Sequence, residues 1–199
     1  MPSTAIQVNR APVMTLWAAV VAERLGHDPD AALTLGKAVA GLNAQAKGRR
    51  LGIYDEPPDR PEETAQRRRS TGDQPRVTVL GRAVPVVETG QGVRATIDGQ
   101  PMDPINVRRY LTRAFGRDLA TVRAALEALA QAYPPDHLAA HAYALYEQFR
   151  PAVPEGTKGW GAKGDLRLDA IRTLAKKGHR EAEATARVAA RDRTGHSPG

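Results

Sequence analysis

The chain has 199 residues, enough for one substantial hydrophobic core or for two small modules sharing one. Its 29 Lys and Arg against 22 Asp and Glu give a formal charge of +7, which favours polyanionic partners, chiefly nucleic acid, although a solubilising surface excess accounts for the same number. There is no cysteine, so disulfides, thiol catalysis and thiolate zinc sites are excluded.

Residues 1–11 read as a polar lead-in. Pro12 suits the first turn of a helix running to about Leu25, in which Val13, Leu16, Trp17, Val20, Val21 and Leu25 recur at helical spacing. Gly26 breaks it, Asp28 is a good N-cap, and Pro29 opens a second helix to about Ala46 carrying Leu35, Val39 and Leu42. Ala32, Gly36, Ala40 and Ala44 fall every four residues on this helix, a stripe that permits a short helix-to-helix distance within the chain or across a dimer.

Residues 55–75 are polar, with Pro57, Pro58, Pro61 and Arg67-Arg68-Arg69, and lack apolar periodicity; they read as an exposed insert. Residues 76–80, 84–88 and 93–97 are short and β-branched, separated by Gly81-Arg82 and Gly90-Gln91-Gly92, and Asp98-Gly99 is a further hairpin signal. They predict a small antiparallel meander. Three helical patterns follow, from Asp103-Pro104 to Phe115, from Leu119 to Pro134, and from Asp136 to Phe149. A short helix over 165–175 and a charged, alanine-rich tail complete the chain. The expected fold class is therefore α+β, mainly α: an N-terminal helical hairpin (1–54), the insert (55–75), the meander with its helices (76–177) and the tail (178–199).

Between the last two helical patterns lies Gly156-Thr157-Lys158-Gly159-Trp160-Gly161-Ala162-Lys163-Gly164, where glycines free the backbone, lysines supply charge and an indole offers a flat face. It is not a P-loop: Gly156 and Gly161 have the gap, but Ala162 precedes Lys163 and Gly164 follows it. Gly159, Gly161 and Gly164 match dinucleotide spacing without the strand–turn–helix setting it needs. Two readings stand open: phosphate contact by Lys158 and Lys163 with Trp160 stacking on a base, or a structural turn in which Trp160 plugs the core.

The first two helices are also spaced like a helix-turn-helix, although His27 stands where such motifs bury a hydrophobe, and Asp28 and Asp30 would repel phosphates. Arg49-Arg50, Arg67-Arg68-Arg69 and the pair Arg109 and Arg113 could neutralise phosphates or simply solvate a surface. His137 and His141 are the one pair at metal-binding spacing, with no third ligand identifiable and no Glu of a metalloprotease helix between them. Serine occurs only at Ser3, Ser70 and Ser197, which rules out a nucleophile elbow.

The segments from Arg10-Ala11-Pro12-Val13 through Ala22-Glu23-Arg24-Leu25-Gly26, together with Gly41-Leu42-Asn43, Lys47-Gly48 and Lys158-Gly159-Trp160-Gly161-Ala162-Lys163-Gly164, resemble a family of conserved bacterial proteins of unassigned function. The resemblance spans most of residues 9–177. It implies a bacterial cytoplasmic protein and no particular activity.

The leading expectation is a non-enzymatic, cytoplasmic, nucleic-acid-associated protein that engages phosphates through Arg49, Arg50, Lys158 and Lys163, with Trp160 as a stacking platform and no cofactor or metal. The longest apolar run, Leu16 to Ala22, is far shorter than a bilayer span, so no membrane partner is expected. The alternatives are a homodimer joined through Ala32, Gly36 and Ala40, or an enzyme acting on a phosphorylated small molecule at the glycine loop.

Overall fold

A computed structural model describes residues 5–50, 74–157 and 162–194. The elements run β1 (Ala5–Val8), α1 (Arg10–Arg24), α2 (Pro29–Arg50), β2 (Arg76–Val79), β3 (Arg82–Thr89), β4 (Gly92–Ile97), β5 (Gln100–Pro101), α3 (Pro104–Phe115), a 3-10 turn (Gly116–Asp118), α4 (Leu119–Gln131), α5 (Pro135–Phe149), β6 (Gly164–Arg167) and α6 (Leu168–Thr194). The class is α+β and mainly α, with the expected hairpin, meander and C-terminal helices.

α1 is the axis of the molecule. Every residue from Pro12 to Ala22 is buried, because α2, α3, α4 and α5 all pack around it. A helix apolar on all sides belongs in a core rather than on a surface. α2 crosses between α1 and the meander, so its first half is buried on both faces from Ala31 to Gly36 and from Ala38 to Ala40. The stripe of small residues faces α1. A Cβ built on Gly36 would lie 2.3 Å from the Thr15 carbonyl oxygen and 2.9 Å from the Ala19 nitrogen. Close approach of the two backbones thus requires glycine here. Ala32 and Ala40 are buried with it, which occupies the stripe inside the chain and removes the dimer interface expected there.

The meander has strand order β2-β3-β4-β5, antiparallel throughout, with registers Val77↔Val84, Val87↔Arg94 and Ile97↔Gln100. The last register leaves Asp98-Gly99 as a two-residue turn, and both residues have positive φ, as a primed hairpin turn demands. The sheet is fixed to α2 by a hydrogen bond from the Ala95 amide to Thr34 Oγ1 at 3.0 Å. It is fixed again at the start of the helix. Arg94, 4 % exposed, lies 3.8 Å from Asp28 and 3.6 Å from Asp30, while its guanidinium also donates to the Val93 and Gln91 carbonyls.

Asp28 caps α2 as its sequence position predicts, accepting from the amides of Asp30 and Ala31. Asp103 does the same for α3, accepting from the Ile105 amide at 2.8 Å ahead of Pro104. Asp103→Ala is expected to lower stability by about 1 kcal/mol, measured as a fall in the urea midpoint at unchanged slope.

Two expectations are corrected. The lead-in contains β1, whose Ile6 and Val8 are buried, and β1 pairs antiparallel with β6 in the register Ile6↔Leu166 and Val8↔Gly164. Residues 164–167 are therefore a strand and not the start of a helix. The helix begins at Leu168 and continues to Thr194, so the border drawn at 177/178 falls within α6, beside Gly178, where the Tyr133 ring packs against the helix backbone. The residues 51–73, which hold most of the expected insert, lie outside the described residues.

Candidate functional site

The C-terminal half of α2 leaves the core and becomes polar, with Gln45, Lys47, Arg49 and Arg50 exposed. Beside it the β2–β3 turn brings up Arg82. Together they form an open cleft of about 290 Å³ lined by Leu42, Gln45, Ala46, Arg49, Gly81, Arg82 and Ala83. Arg82 is held in place from the helix: its Nε donates to Asn43 Oδ1 at 3.0 Å, and Asn43 Nδ2 in turn donates to Met14 Sδ. A guanidinium oriented through one nitrogen keeps its terminal amino groups for an anion.

From this cleft the basic surface continues across α5. Tyr143, 39 % exposed, has its phenol pushed above the usual range by burial and by the Glu147 carboxylate, with Arg82 and Arg150 both acting in the opposite direction. The ring is tilted 40° to that of Tyr146, 6.3 Å away. Burial raises the Tyr146 phenol strongly, against the pull of Arg10 and Arg150, so its hydroxyl keeps its proton and donates to the Arg10 carbonyl at 3.2 Å. Arg10 Nε donates to the Pro151 carbonyl at 3.0 Å. Lys163, exposed, immediately precedes Gly164, whose partner in β1 is Val8, two residues before Arg10. Gly164 must be glycine, since a Cβ there would lie 2.6 Å from the Ala152 carbonyl oxygen.

Arg49 and Arg82 share the cleft, Arg82 and Arg150 both act on Tyr143, Arg150 and Arg10 both act on Tyr146, and Lys163 adjoins the β1–β6 pairing that precedes Arg10, a discontinuous cationic strip. Carboxylates interrupt it in two places: Glu147 pairs with Arg150 at 3.2 Å, and Asp165 accepts from Gln7. Arg49 and Lys163, both expected from sequence, lie at the two ends, and Arg50 adjoins Arg49 at the end of α2. Lys158 and Trp160 lie outside the described residues. Arg82 and Arg150 do not stand out in the sequence, because neither belongs to a run of charge; their place depends on Asn43 and on the packing of α5.

Two further arginines are paired within the chain. Arg108 is bonded to Asp30, and Arg123 bridges Glu23 and Glu127 at 2.6 and 2.7 Å beside a smaller cleft of about 190 Å³. That second cleft is lined by two carboxylates and is unsuited to an anion. The helix-turn-helix reading also meets an obstacle in α2: Asp28 and Asp30 at its start are engaged by arginines, and the residues from Ala31 to Gly36 are buried within the fold.

Among the described residues, the lining of the larger cleft holds no carboxylate, imidazole or hydroxyl. Among the described residues no helix is long and apolar enough to cross a membrane. Comparison with protein-family models, curated proteins and solved structures gives no match, so the resemblance carried by the N-terminal helix pair and the glycine loop rests on sequence alone.

Proposed function

We propose that the chain is a non-enzymatic, nucleic-acid-associated protein that grips phosphates along the strip from Arg49 to Lys163. The observation that carries this reading is Arg82, fixed by Asn43 at a cleft it shares with Arg49 and continued by Arg150 and Arg10. Successive cations of this kind suit a repeating polyanion better than a single phosphate, because each engaged phosphate releases counterions. The exposed ring of Tyr143 adds a surface on which a base can stack. The cysteine-free sequence is in keeping with a cytoplasmic location.

Fluorescence anisotropy with single- and double-stranded oligonucleotides across a salt series tests the reading. The wild-type affinity should fall steeply with salt, and Arg49→Ala with Arg82→Ala should reduce the logarithmic salt slope by about two, one for each phosphate no longer neutralised. Absence of binding at low salt, or a double variant with the wild-type slope, would refute it.

A further inference from the structure

His137 and His141 stand one helical turn apart near the start of α5, both exposed, with ring centroids 4.5 Å apart and planes inclined by 43°. The arrangement is braced from one side. Tyr133 lies nearly parallel to His137, with centroids 5.0 Å apart and planes inclined by 11°. Tyr133 is itself buried and immobilised by α6, since its hydroxyl donates to the Leu174 carbonyl at 3.4 Å and its ring fills the space left by Gly178. The stack of three rings thus starts from a fixed element, and the His137 imidazole is oriented before any ligand arrives.

The spacing of the two rings carries chemical information. A metal about 2.1 Å from an imidazole nitrogen stands about 3.2 Å from that ring's centroid, so two rings at a right angle about one ion have centroids about 4.5 Å apart, against about 5.2 Å at a tetrahedral angle. The observed separation of 4.5 Å is short enough for both rings to reach one ion. Among first-row divalent ions, a nitrogen site binds Ni2+ and Cu2+ more tightly than Mn2+, Fe2+ or Co2+.

We propose that His137 and His141 form a two-nitrogen surface chelate for a divalent ion of the Cu2+ or Ni2+ type. Among the described residues no group of three or more His, Asp or Glu is arranged to hold a metal, so water or an external ligand completes the coordination. The ion clips the first turn of α5 and, by binding the folded chain in preference to the unfolded one, raises its stability. The site is separate from the arginine strip and does not depend on its role.

Full-length protein freed of metal with a chelator, then titrated calorimetrically with Cu2+ and with Ni2+, provides the test. One ion should bind per chain, with weakening of about tenfold or more in either His137→Ala or His141→Ala, and His179→Ala should bind as wild type does. Electron paramagnetic resonance of the Cu2+ form should show nitrogen coupling that disappears in the double variant. A thermal shift on adding Ni2+ should occur in the wild type and be lost in His137→Gln and His141→Gln, which keep side-chain bulk and polarity if the alanine variants unfold. Undiminished affinity or an undiminished thermal shift in the double variant would overturn the proposal, as would failure of the wild type to bind either ion.

Discussion

Gly36→Leu is expected to abolish cooperative folding, at a loss of about 4 kcal/mol or more. The cause is collision between main chains: the first side-chain carbon alone would stand 2.3 Å from the Thr15 carbonyl and 2.9 Å from the Ala19 nitrogen. Neither can rotate away as a side chain can, so α1 and α2 would have to separate. Both helices are core elements, and α2 carries the meander through Thr34 and Arg94. Gly36→Ala should destabilise in the same direction, though less, because alanine gains about 1 kcal/mol of helix propensity that partly offsets the collision. Far-UV circular dichroism with urea denaturation reads both. A Gly36→Leu protein that melts like the wild type would mean the two helices do not pack at this distance.

Trp17→Ala should lower stability by about 3–5 kcal/mol. Trp17 is fully buried at the centre of α1, meets Phe149 edge-on with centroids 5.5 Å apart, and donates its indole N–H to the Ala142 carbonyl at 2.8 Å. Truncation leaves a cavity between α1 and α5 beside Phe149, which packs in turn on Tyr146. Trp17→Phe keeps most of the packing area and forfeits the hydrogen bond, for a smaller decrease of about 1–2 kcal/mol. The ordering of the three proteins in urea midpoint is the measurement, and a phenylalanine variant with the wild-type midpoint would remove the hydrogen bond from the account.

The parts of the fold legible in the sequence are those with local causes. Asp28 and Asp103 announce helix starts because their carboxylates cap the amides beside them, and Asp98-Gly99 announces a turn because it tolerates positive φ. β1 and β6 are hidden because four residues carry too little periodicity, and the two strands lie some 160 positions apart; the alternation of Ile6 and Val8 is the only available sign. Gly36 is legible as part of a close-packing stripe, but which surface it meets is not. At the strip, Arg49 and Lys163 can be found as charges in suggestive places. Arg82 cannot, since its value comes from Asn43, which is 39 residues earlier and adjacent only in space. The spacing of His137 and His141 is plain, whereas the distance between their rings depends on how Tyr133 is wedged by α6.

The antiparallel partnership of Ala5–Val8 with Gly164–Arg167 has a further outcome during synthesis. A growing polypeptide can assemble α1, α2 and the meander as they leave the ribosome, but Ile6 and Val8 gain their strand partner only once residues 164–167 have been made. That pairing sets the residue after Lys163 opposite Val8, so the Lys163 end of the cationic track takes its place beside the start of α1 only once β6 has been made.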